Sequence, residues 1–130
     1  MLVIAPLLLT ACSMDYPVQD LLDGYAAHAA DRELLGQYLA DKALTSALDS
    51  LDLLDSLGLT QVGIAEFHDV HQIGTNLFAG CLDVSGVGFM DSAGDSVQLA
   101  GRQETISVSI WFTGSSGARR ISAIETGEPC

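Results

Sequence analysis

Residues 44–62 read LTSALDSLDLLDSLGLTQV, and the change of pattern inside this stretch decides the fold. Leu44, Ala47, Leu48, Leu51, Leu54 and Leu57 recur at alternating three-and-four spacing, with Asp49, Asp52 and Asp55 off that line, which is the signature of an amphipathic helix. Gly58 is its natural stop, because glycine takes the left-handed conformation that ends helices without steric cost. Past it the chain becomes richer in β-branched and aromatic residues and is punctuated by Gly, Asn and Ser, a strand-like pattern.

Working outward toward the N-terminus, Val18, Leu21, Leu22, Tyr25 and Ala29 form a second helical face that starts after Pro17, and a short helical unit is expected at 34–39. Toward the C-terminus, strands are expected at 60–73, 76–84, 103–112 and 119–126. Turns fall at Gly74-Thr75 and at 114–117, and an edge hairpin at 87–90 and 96–99 surrounds Ala93-Gly94-Asp95. Helices first and antiparallel strands afterwards predict an α+β fold, with N-terminal helices packed on one sheet.

A chain of 130 residues, 48% hydrophobic and 17% charged, supports one folded domain. Seventeen acids stand against five Lys and Arg, a formal net charge of −12 that repels nucleic acid phosphates, so no nucleic acid partner is expected. An acidic surface of this kind serves solubility and nominates no partner by itself.

The first nine residues, MLVIAPLLL, are apolar and uncharged, and Leu9-Thr10-Ala11-Cys12 follows the large apolar, small, small, cysteine order of a lipobox. This segment resembles a bacterial lipoprotein signal. The resemblance implies a signal peptide over 1–11, a lipidated Cys12 with a tether over 12–17, and a domain over 18–130 anchored by lipid at the outer face of the cytoplasmic membrane. The run is too short for a transmembrane helix, which needs about 20 apolar residues. No Lys or Arg precedes Cys12, so the expectation is that the true start lies upstream of Met1. The competing reading makes 2–9 an ordinary buried strand or helix start.

Lipidation of Cys12 leaves Cys81 and Cys130 as an even pair in an oxidising compartment, where a disulfide persists; two buried free thiols are the alternative.

The order of elements is similar to the small NTF2-like (cystatin-like fold) lipoproteins of actinobacterial cell envelopes. The matching stretches are Gly36-Gln37-Tyr38-Leu39-Ala40 before Leu44, the helix ending Leu57-Gly58-Leu59, Cys81-Leu82-Asp83-Val84-Ser85-Gly86, and the strand at 121–125 followed by Gly127-Glu128-Pro129-Cys130. The resemblance implies three helices against a strongly curved antiparallel sheet with a conical pocket between the layers, and it supports pairing Cys81 with Cys130. The family commonly carries a Trp near the position of Arg120 or Ile121, whereas Trp111 is this chain's one tryptophan. No activity is generally established for these lipoproteins, so the resemblance implies a fold and a compartment more than a function; the leading expectation is a noncatalytic domain that binds a small apolar ligand or an envelope protein.

Other constellations are weighed against that reading. His68 and His71 flank Asp69, yet residues three apart in a regular strand point to opposite faces, so they reach one metal ion only across a bulge. Bringing in His28 requires a helix to meet the sheet, and no metal or other cofactor is expected. The enzymatic alternative is an isomerase or dehydratase of the kind found among NTF2-like relatives, with Tyr25 or Tyr38 as donor and Asp69 or Asp83 as base. Gly114-Ser115-Ser116-Gly117 has the composition of a hairpin loop, not a nucleophile elbow. Gly80, Gly86, Gly88 and Gly94 precede no phosphate-binding helix, and Arg119-Arg120 reads as a solvated hairpin end.

Overall fold

The computed structural model describes residues 16–115 and 118–130. The expected signal peptide and lipobox, with Cys12, lie outside the described residues, as does part of the turn at 114–117. Among the described residues three helices precede the strands: α1 (Tyr16–Ala27), α2 (Leu35–Tyr38) and α3 (Asp41–Ser56). Helix α1 takes in Tyr16 and Pro17, two residues that the sequence reading left in the tether. Its Val18, Leu22 and Ala26 recur every four residues and are all buried, which faces one stripe of the helix into the core.

Helix α3 ends as its glycine predicts. Gly58 has φ 70°, its N–H donates to the Asp55 carbonyl at 3.1 Å, and the Leu59 N–H donates to the Leu54 carbonyl at 2.9 Å. These two bonds form the Schellman arrangement that satisfies the last carbonyls of a helix. The apolar face of α3 runs out before its end, however. Leu44, Ala47, Leu48 and Leu51 pack against the core, whereas Leu57 is 61% exposed, and so is Leu53 at 60%.

Seven strands follow: β1 (Thr60–Val62), β2 (Glu66–Gly74), β3 (Leu77–Asp83), β4 (Gly88–Met90), β5 (Ser96–Val97), β6 (Thr105–Thr113) and β7 (Arg120–Thr126). They form two antiparallel sheets, one of order β2-β3-β6-β7 and one of order β1-β4-β5, so the protein is α+β. The single strand expected at 60–73 is therefore two strands in different sheets. The break sits at Gly63, whose φ of 78° belongs to the left-handed region and where a Cβ would collide with the Gly86 carbonyl oxygen. The hairpin expected at 87–99 does form, but it joins β1 in the smaller sheet instead of lying at the edge of the larger one.

The inward face of the larger sheet carries Phe67, Phe78, Val108, Ile110, Phe112 and Ile121, all buried against the helices. Leu22, Leu35, Leu39, Ile110 and Ile121 are fully enclosed, and each such side chain contributes roughly 1.5–3 kcal/mol by leaving water. The chain between α2 and α3 is fastened to this sheet directly: the Ala40 N–H donates to the Ile121 carbonyl at 2.8 Å. On the outward face, Cys81 of β3 is bonded to Cys130, with Cα atoms 6.1 Å apart, inside the usual span of a disulfide. The last residues reach it by running back along β6, where the Ser107 N–H donates to the Glu128 carbonyl at 2.8 Å.

Among the described residues, no helix is long and apolar enough to cross a membrane.

Candidate ligand cavity

Between the helices and the two sheets lies a cavity of about 520 Å³. Its existence follows from side-chain size along α3. Ala43, Ser46, Ala47 and Ser50 recur at helical spacing and line this space, so apart from Lys42 the helix offers small groups to it. The larger Leu44, Leu48 and Leu51 lie on the adjoining stripe and pack into the core. Opposite α3, the larger sheet lends Phe67, Leu82, Ile106 and Ile124, and β4 of the smaller sheet closes a further wall with Phe89. A helix surface of small residues facing a sheet surface of large ones leaves room that neither layer fills.

Tyr25 of α1 also lines the cavity, with its ring 6.4 Å from that of Phe67. Burial pushes its phenol above the ordinary tyrosine value, since the charged form would lose its hydration there. Polar groups border the same space: Ser46, Ser50 and Gln61 together with two cations, Lys42 and Arg102. Arg102 is oriented by its Nη1, which donates to the Val87 carbonyl at 2.6 Å.

The four residues considered for proton transfer are not brought together. Tyr25 lines the cavity. Tyr38 lies against α1 instead, its ring stacked on His28 with centroids 5.9 Å apart. Asp83 shares the outward face of β3 with Cys81, and hydrogen bonds from the Ser85 side chain and backbone N–H hold its carboxyl below the usual carboxylate range. Asp69 borders a different, open hollow of about 420 Å³ on the outer face of the sheet, shared with His71, Ser107, Glu125 and the Cys81–Cys130 bridge.

The two strand histidines depart from the regular-strand expectation. His68 pairs with Cys81 and His71 with Ala79, so a β-bulge at Asp69 and Val70 returns both imidazoles to one face. They do not converge: His68 Nε2 lies 3.1 Å from Glu66 Oε2, and His71 Nδ1 lies 2.8 Å from the Asp69 carbonyl. No group of three or more metal-ligating side chains occurs among the described residues.

Sequence reasoning did not identify Lys42, Ala43, Ser46, Ser50 or Arg102 as neighbours of one site. The available signal was the run of small residues at 43, 46, 47 and 50, which has the same spacing as the leucine stripe beside it.

No family model matches this sequence, and no curated protein or solved structure matches it either.

Proposed function

We propose that this chain is an extracytoplasmic binding module: an NTF2-like domain, held at the outer face of the cytoplasmic membrane through lipid on Cys12, that takes a small apolar ligand between its helices and sheets. The observation that carries the reading is the cavity of about 520 Å³, with its largely apolar wall and a few polar groups. That volume and that lining are typical of small-molecule sites. Three helices followed by antiparallel strands, with a hollow between the layers, are also what the resemblance to envelope NTF2-like lipoproteins implies. Proton transfer would need a carboxylate base beside a tyrosine, and the two aspartates considered for it stand on the outer face of the sheet, away from Tyr25.

Binding is tested with Nile red, a neutral apolar dye whose emission rises when it leaves water. The full chain should bind it saturably, and Ser46→Phe with Ser50→Phe, which place large rings on the α3 wall, should abolish the signal without lowering the melting temperature. No binding, or equal binding by the occluded variant, would refute the reading. The anchor is tested separately. Labelled palmitate should enter the protein in a bacterial host and should be lost in Cys12→Ala.

A further inference from the structure

We infer that the cavity selects an amphipathic anion, a ligand with an apolar body and one carboxylate or monophosphate head, and that Lys42 and Arg102 receive the head. This rests on the reading of the cavity as a ligand site and adds the class of ligand.

The distribution of charge carries the inference. Only five of the 130 residues are Lys or Arg, against seventeen Asp and Glu. Among the described residues only Arg32 of the five pairs with carboxylates. Arg32 bridges Asp52 and Asp55 at 2.7 and 2.9 Å, Arg119 lies over the Phe112 ring, and Arg120 donates to the Gly36 carbonyl at 3.3 Å. Lys42 and Arg102 both line the cavity between the layers, and among the described residues neither forms an ion pair with a carboxylate. Glu125 is the single acid among the cavity's lining residues, and it also lines the outer hollow.

In a chain this acidic, Lys42 and Arg102 against Glu125 alone give the cavity lining a net positive formal charge, opposite in sign to that of the whole molecule. The chemistry of each fits an anion. Arg102 spends one N–H on the Val87 carbonyl, which fixes the guanidinium plane and leaves other donors of its five for an oxygen pair. Lys42 adds a mobile point charge on the helical side. Ser46, Ser50 and Gln61 of the same lining supply neutral donors. An amphipathic cation would meet like charge at the same place, and a neutral ligand would leave both cations unused.

The test is displacement of Nile red from the full chain at neutral pH by dodecanoate, dodecyl phosphate, dodecanol and dodecylamine, each below the concentration at which it self-associates. The two anions should compete roughly tenfold better than the alcohol, the ratio expected for a charge-assisted contact at a wet cavity mouth, and the amine should be weakest. Lys42→Gln with Arg102→Gln should bring the anions down to the level of the alcohol, each competitor being referred to that variant's own Nile red affinity, and Lys42→Arg should keep the preference. Preference for dodecanoate over dodecyl phosphate, or the reverse, separates a fatty acid from a phosphate-headed ligand. Equal competition by anion and amine, or a preference that survives the double substitution, overturns the inference while leaving the cavity as an apolar site. Failure of the unaltered chain to bind Nile red overturns both.

Discussion

His68 and His71 stand on the same face of the larger sheet although they are three residues apart on β2, because Asp69 and Val70 together oppose the single residue Gly80. Asp69 achieves this with φ 55°, in the left-handed region, where an L-residue other than Asn, Asp or Gly is strained. Asp69→Val should therefore lower stability by about 1–2 kcal/mol, and Asp69→Gly should stay within about 0.5 kcal/mol of the parent. Urea unfolding of the three proteins measures this. A valine variant as stable as the parent would show that the bulge is not held in solution.

The Cys81–Cys130 bridge joins residues 49 positions apart, so it removes a large loop from the conformational freedom of the unfolded chain. Cys81→Ser with Cys130→Ser should cost about 4 kcal/mol on the chain-entropy account. Thiol titration of the unfolded protein without reductant should find neither cysteine reactive. Reaction at either one would contradict the bridge.

Gly24 lies in α1, where alanine would ordinarily favour a helix by about 1 kcal/mol. Here a Cβ would come within 2.5 Å of Cε1 of Tyr38, the ring that stacks on His28. We expect Gly24→Ala to destabilise the protein by roughly 1–3 kcal/mol through overpacking. In a Tyr38→Ala background the same change should become stabilising. Thermal melts of the four combinations read the sign, and an unchanged sign in the Tyr38→Ala background would mean that the ring is not the obstacle.

Tyr25 makes stability sensitive to alkali. Burial favours the neutral phenol, so the native state keeps this proton to higher pH than the unfolded chain does. Its contribution is complete below the ordinary tyrosine range, near pH 10, and is lost as the pH rises through the raised native value. Tyr25 should ionise late in the near-ultraviolet absorbance titration, and Tyr25→Phe should remove that late component. If the parent and Tyr25→Phe lose stability in parallel above pH 10, the phenol is not buried as described.

Legibility from sequence followed the range of the interactions. Helix α3 and its Gly58 stop could be read because both depend on residues within one or two turns of each other. The hairpin of β2 and β3 was legible at Gly74-Thr75 for the same reason. The bulge at Asp69 was not, since only the register against β3 shows that two residues oppose one. Splitting of 60–73 into two strands also escaped the pattern, because the collision at Gly63 involves Gly86, which the linear sequence does not set beside it.

The cavity was the least legible feature. Ala43, Ser46, Ala47 and Ser50 read as a modest part of an amphipathic helix, and nothing local distinguishes a small residue that packs tightly from one that leaves space. Composition could say that cations are scarce, but not that Lys42 of α3 and Arg102 before β6 line the same hollow.

By itself, then, the sequence determined the order of helices and strands, the turn chemistry between them and the presence of two cysteines besides Cys12, all of which are written in local spacing and composition. Tertiary structure alone decided that the strands divide into two sheets, that Asp69 and Asp83 face away from Tyr25, and that small helical residues stand opposite large sheet residues. The reason is physical. Facing and distance depend on how two surfaces meet, and a periodic pattern records the shape of only one of them.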